Sequence, residues 1–167
     1  MEDQNTQDCT ETKMPSFIGV KIVKAIPQRC PSDKYMSKAG DPGYLVKYED
    51  GYTSWSPKAA FDAAYRHVDA MSFGLAIEAM KKGHKVARKG WNGKNMWIVY
   101  MSPMDLPEYY TQGTVREVND RIASLIGEDT PLHTLGYFAM WTADGKWLPG
   151  WLASQTDMLA DDWQIVD

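Results

Sequence analysis

The sequence predicts an α+β protein: antiparallel sheet with a few short helices, plus a small N-terminal α+β unit. Three observations predict it. Strand-like runs rich in β-branched and aromatic residues are joined by tight turns such as Glu49-Asp50-Gly51, Asn92-Gly93 and Ala143-Asp144-Gly145. Short amphipathic segments lie between cap-like residues, as in Ser72 to Gly83. The 167 residues are 44% hydrophobic and 24% charged, the composition of an ordinary globular chain.

Charge divides the chain. Residues 1–16 carry net charge -3 and almost no apolar periodicity, and read as a disordered tail. Residues 17–69 are net +2 and form an N-terminal accessory module; residues 70–167 are net -3 and form a second domain. In the module, Phe17 to Ile26 reads as a strand and Pro27 to Gly43 as polar, turn-forming chain. Tyr44 to Tyr48 and Tyr52 to Trp55 then make a hairpin around Glu49-Asp50-Gly51. Ser56 as N-cap and Pro57 at the first helical position start a helix, with Ala60, Phe61, Ala64, Tyr65 and Val68 on one stripe.

In the second domain, Phe73, Ala76, Ile77 and Met80 follow helical spacing between Ser72 and Gly83. Lys85 to Trp91 and Met96 to Met101 read as strands joined at Asn92-Gly93, since both residues tolerate positive φ. Pro103 to Gln112 reads as a loop. Thr114 and Glu117 form a capping box for a helix with Val115, Val118, Ile122, Leu125 and Ile126 on one face and Gly127 at its end. Leu135 to Thr142 reads as a strand, turned at Ala143 to Lys146 into Trp147-Leu148. Ser154 caps a short helix from Gln155 to about Asp161, and Trp163 to Val166 closes the sheet.

Several functions are disfavoured. A net charge of -4 repels phosphate backbones, which argues against coating DNA or RNA polymers. No apolar run approaches the roughly 20 residues of a membrane helix, and the acidic N-terminus lacks a secretory signal. Cys9 and Cys30 have no zinc or disulfide spacing, and His67, His84 and His133 are scattered. Neither a metal nor a cofactor is expected, and the protein is expected to be soluble and cytoplasmic. GxSxG, GxxxxGK[ST], HExxH and GxGxxG are all missing, and Asp161-Asp162 would diverge on a helix rather than share a metal. A binding module is the simpler expectation, with no catalytic residues.

Aromatic residues supply the candidate chemistry. Seven Trp, nine Tyr and four Phe make up 12% of the chain. Indoles fill cores, and they also stack on bases. Residues 81–94 hold Lys81, Lys82, Lys85, Arg88, Lys89 and Lys94 without an acid, beside Trp91. This segment is either a solvated hairpin edge or a site for a compact ligand with phosphates and a base. Asn92 either serves the turn or pairs with a base edge, and Lys94 is either solvated or phosphate-bound. Further on, Ser154 and Asp157 have capping spacing. The amides of Gln155, Thr156 and Asp157 equally suit an anion, Asp157 suits ribose hydroxyls, and Trp151 offers a stacking face. Trp163 reads as core.

Three blocks carry a resemblance: Met71-Ser72-Phe73-Gly74-Leu75-Ala76, Val86-Ala87-Arg88-Lys89-Gly90-Trp91-Asn92-Gly93-Lys94, and Trp151-Leu152-Ala153-Ser154-Gln155-Thr156-Asp157-Met158-Leu159-Ala160-Asp161-Asp162-Trp163. Over residues 70–167 the chain resembles the second Thoeris anti-defence family of phage proteins. The resemblance implies a homo-oligomer, a tetramer in the family, acting in the cytoplasm of the infected bacterial host. It implies sequestration of cyclic ADP-ribose variants, the glyco-cyclic isomers, without cleavage. It also raises capture of CBASS cyclic trinucleotides; hydrolysis of the signal and a protein–protein adaptor are the rival readings. Trp91 and Asn92 match the family's Trp-Asn-Gly turn. Trp151, Ser154 and Asp157 match its Trp-x-x-Ser-x-x-Asp block, with Arg88, Lys94 and Gln155 beside them as ligand contacts. The stretch from Pro103 to Leu135 is longer than in the shortest members, and residues 43–58 resemble a small module common in phage-encoded proteins.

Overall fold

The computed structural model describes residues 20–31, 38–91, 95–106, 122, 124–127 and 132–166. The expected tail and the Thr114–Glu117 capping box lie outside them, as do Val115 and Val118. The chain divides into two compact units, Met1–Ser56 and Pro57–Asp167. The whole is α+β with antiparallel sheets, as expected.

The first unit is a three-stranded sheet in the order β1 (Lys24–Arg29), β2 (Pro42–Lys47), β3 (Thr53–Pro57). Its first strand departs from expectation: residues 20–23 are not strand, and the strand runs on through Pro27 to Arg29, pairing Lys24 with Lys47 and Arg29 with Pro42. Pro27 is tolerated because β1 is an edge strand, where a missing N–H does not interrupt a ladder on both sides. The β2–β3 turn forms as expected, with the Tyr48 N–H donating to Tyr52 O at 2.9 Å and Gly51 at φ 85°. Val46 and Trp55 are buried, and the Trp55 indole N–H donates to Gln28 O at 3.0 Å. A Cβ on Gly43 would stand 2.5 Å from the Trp55 ring, so the indole lies against bare backbone.

The second unit begins with α1 (Lys58–Ala64). The expected N-cap is displaced by one residue. β3 takes Ser56 and Pro57, Pro57 becomes the cap position, and no side chain bonds there. Phe61 and Tyr65 stack at 4.8 Å, but Val68 lies past the helix and is exposed, so the stripe stops short of it.

Helix α2 (Phe73–Lys81) has Ser72 at its N-cap position, without a side-chain bond, and Gly83 at φ 91° just after its end. Ala76, Ala79 and Met80 press its inner face onto Val86, Ile98, Met140 and Trp163. That face covers a five-stranded sheet in the order β10-β4-β5-β8-β9, formed by β4 (Lys85–Arg88), β5 (Trp97–Met101), β8 (Tyr137–Trp141), β9 (Trp147–Pro149) and β10 (Trp163–Val166). The last strand pairs antiparallel with β4, Trp163 opposite Arg88, and Trp163 also bridges to Met71. Trp163 is fully buried, as expected.

Three local expectations are corrected. First, the β4–β5 connection is not a two-residue turn: β4 stops at Arg88 and β5 starts at Trp97. The left-handed residue seen there is Asn95, at φ 60°, and Asn92, Gly93 and Lys94 lie outside the described residues. Second, the expected loop from Pro103 contains β6 (Met104–Leu106), paired with β7 (Leu132–Thr134). Third, the expected strand from Leu135 is broken. Leu135 is exposed, and β8 begins only after Gly136, where a Cβ would come within 2.6 Å of Tyr100 Oη. Residues 122 and 124–126 are helical and Gly127 follows at φ 102°, yet Leu125 is 80% exposed and faces no core. The short helix α3 (Gln155–Met158) starts where Ser154 predicts it but stops at Met158, short of the expected Asp161.

Candidate functional site

The candidate residues gather at one end of β4, where the chain leaves the sheet beside α3 and the start of β10. Three indoles meet there. Trp91 lies 5.4 Å from Trp163 and 6.0 Å from Trp151, and Trp151 lies 6.2 Å from Trp163, with interplanar angles of 65° to 78°. Edge-to-face packing of this kind sets the positive ring edge against the negative face. Phe73, the first residue of α2, completes the group at 5.4 Å from Trp163. Trp163 is the buried floor, and Trp91 and Trp151 are half-buried above it. The Trp151 amide donates to Phe138 O at 2.8 Å, which ties its backbone to β8.

A compact ionic network braces these rings. Arg88 Nε donates to Asp162 Oδ1 at 2.8 Å, and Arg88 Nη1 donates to Asp157 Oδ1 at 2.9 Å and to Thr156 O at 3.2 Å. Its Nη2 reaches Asp162 Oδ2 at 3.4 Å. Every guanidinium nitrogen therefore points into the protein's own groups. Asp157 is equally occupied: Oδ1 accepts from Arg88 and, at 3.4 Å, from the Trp91 indole N–H. Oδ2 accepts from the Ser154 hydroxyl at 2.6 Å and the Ser154 amide at 3.1 Å. Ser154 Oγ in turn accepts from the Asp157 amide at 3.1 Å, which completes the capping box that the spacing predicts. The Trp163 indole N–H donates to Asp157 O at 3.0 Å.

The electrostatics follow from these partners. The hydrogen bond from Arg88 holds the Asp162 carboxyl below its ordinary value. Asp157 is pushed up by burial, but the hydrogen bonds from Ser154, Arg88 and Trp91 outweigh this and leave it lowered. Asp162 and then Asp157 raise Arg88. The network is ionised at neutral pH and carries one negative charge net.

Much of the basic segment is engaged locally. Lys81 pairs with Glu78 at 2.8 Å, Lys89 approaches Asp69 at 3.8 Å, and Lys85 Nζ sits 5.5 Å from the Trp97 ring centroid. Gln155 is exposed at the start of α3. The structure thus brings together Arg88, Trp91, Trp151, Ser154 and Asp157, with Gln155 beside them, while Asn92 and Lys94 lie outside the described residues. Asp162 and Phe73 join the group without having been singled out as contacts. The helix on which Asp161 and Asp162 were expected to diverge ends at Met158, so Asp162 is free to turn back onto Arg88. Among the described residues no group of three His, Cys, Asp or Glu side chains can hold a metal, and no helix is long and apolar enough to cross a membrane.

Residues 71–166 match the Tad2-like family model, described as the Thoeris anti-defense 2-like domain. The chain belongs to the Tad2-like family. It is similar to Thoeris anti-defense 2 of Bacillus phage SP01, with 38% identity over 96 residues, covering 58% of this chain and 94% of that protein. The matched span holds α2, the five-stranded sheet, α3 and every residue of the aromatic cluster. Membership in the Tad2-like family supports a phage Thoeris anti-defence role.

Proposed function

We propose that this Tad2-like chain is a sponge that binds cyclic ADP-ribose-type immune signals, the glyco-cyclic isomers, and holds them without cleavage. Thoeris effectors are then deprived of their activator in the cytoplasm of the infected host. The supporting observation is the half-buried Trp91–Trp151 pair, braced on a buried indole inside the family's matched span. Two rings held at fixed angles over a rigid floor are preorganised for a flat base, which lowers the ordering cost of binding. Stacking supplies on the order of 1–3 kcal/mol per base face.

The residues divide by role. Trp91 and Trp151 face the adenine or ribose, Asn92 pairs with a polar edge, and Lys94 and Gln155 meet phosphate or hydroxyl oxygens. Arg88, Ser154 and Asp157 shape the site through the network that already occupies them. Assembly into a homotetramer lets neighbouring protomers complete each site.

Incubating the protein with a purified glyco-cyclic ADP-ribose isomer, denaturing it and analysing the supernatant tests the reading. Intact ligand released from a stoichiometric complex is expected. A linearised product would make the protein a hydrolase, and no retention at all would end the sponge reading. Trp91→Ala and Trp151→Ala are each expected to stay folded by near-ultraviolet circular dichroism. Each should weaken capture by about tenfold or more in titration calorimetry, the size of one lost stacking face.

A further inference from the structure

Asp162 lies between α3 and β10 and accepts four hydrogen bonds, two from the side chain of the last β4 residue and two from the backbone of the turn after it. Its carboxylate accepts from Arg88 Nε at 2.8 Å, from Arg88 Nη2 at 3.4 Å and from the Gly90 amide at 3.2 Å; its carbonyl accepts from the Lys89 amide at 3.1 Å. Three consecutive residues, Arg88, Lys89 and Gly90, are thereby fixed to one aspartate more than seventy positions along the chain. The fit is close: a Cβ on Gly90 would lie 3.3 Å from Asp162 Oδ2.

Trp91 is the next residue. Its amide donates to Arg88 O at 3.3 Å, and its indole N–H has a 3.4 Å contact with Asp157. Among the described residues its ring also packs edge-on against Trp151 and Trp163. Bonds this long tolerate displacement, so the place of the ring is inherited from the turn that carries it. Stacking is sensitive to that place, because a radial gap of roughly 0.5–1 Å forfeits a quarter to a half of the dispersion attraction.

We propose that Asp162 is a positioning residue for ligand capture: by clamping Arg88, Lys89 and Gly90 it sets where Trp91 stands, without itself touching the ligand. The inference rests on the reading of the aromatic cluster as the ligand face. It adds a residue to which neither the capping pattern nor the Trp-Asn-Gly turn assigns a role.

The test compares the full-length protein with Asp162→Ala and Asp162→Asn. Two readouts are followed: affinity for a purified glyco-cyclic ADP-ribose isomer, and the indole exciton signal in far-ultraviolet circular dichroism. Trp91→Ala supplies the reference spectrum for a cluster without that ring. Asp162→Ala is expected to bind about two- to tenfold more weakly, less than the loss expected for Trp91→Ala, and to move its spectrum toward the reference. Asp162→Asn, which keeps an acceptor for the Gly90 amide, should recover part of both.

Wild-type affinity or a wild-type spectrum in folded Asp162→Ala would overturn the proposal. So would an Asp162→Asn protein with a wild-type spectrum and the full loss of affinity, since the charge would then act on the ligand directly. If Asp162→Ala does not fold, Asp162→Asn decides: a shift in both readouts supports the proposal and a shift in neither overturns it. A wild-type protein that fails to bind would sink the sponge reading, while the spectra would still judge the clamp.

Discussion

The second unit holds two groups of three tryptophans, and they are built in different ways. Trp97, Trp141 and Trp147 stand on the face of the sheet away from α2, because they alternate with the core residues Ile98 and Met140. Strand register alone aligns them: Trp97 pairs with Trp141, and Trp141 with Trp147. The first two rings stack at 5.9 Å and 10°, and Trp147 is 42% exposed. Trp91, Trp151 and Trp163 instead come from a turn, a loop and a strand. Side chains of Arg88, Asp157 and Asp162 hold the elements that carry them. The ladder indoles take their places from strand pairing, with Lys85 Nζ 5.5 Å from the Trp97 centroid, whereas the Trp91–Trp151–Trp163 group is braced by ion pairs, which makes its geometry dependent on charge.

Substitutions should separate the two groups. The largest effect is expected from Trp163→Ala, which removes the buried floor of the braced cluster. A loss of about 3–5 kcal/mol in calorimetric stability is expected from the cavity it leaves. Arg88→Met comes next. It leaves the Asp157 and Asp162 carboxylates without the cation they share, and urea unfolding should register a cost of about 1–3 kcal/mol.

Acid should act on the braced cluster in the same direction. Folding lowers both Asp157 and Asp162, so their stabilising contribution is complete above the ordinary carboxylate value of about 3.9 and is lost as pH falls through the lower folded values. Unfolding followed from pH ~5 down to pH ~2 should therefore show falling stability. Arg88→Met should flatten that slope, and an unchanged slope would show that the network does not govern the acid response. The smallest effect belongs to the other face: Trp147→Ala should cost less than about 1 kcal/mol and leave ligand capture at wild-type strength. A capture defect in that variant would mean that the unbraced group shares the function.

Several parts of this architecture can be read along the chain because their causes are local. Ser154 and Asp157 are three residues apart, and a capping box spans that distance. Phe73, Ala76, Ile77 and Met80 mark one face of α2 by spacing alone, and Gly51 and Gly83 stand where the backbone turns left-handed. The strand through Pro27 could not be read this way, because only the sheet order makes it an edge. The break at Leu135-Gly136 was equally hidden: it depends on Tyr100, a residue of another strand.

Amino-acid order by itself determined the α+β class, the capping box of α3, the buried place of Trp163 and the pairing of aromatic with capping residues in one block. Tertiary structure alone decided that Arg88 spends its guanidinium on Asp157 and Asp162, 69 and 74 positions away. Hydrogen bonds within a few residues are written in local spacing. Contacts across such separations exist only once β10 has paired with β4 in one register, and that register is set by the packing of the core.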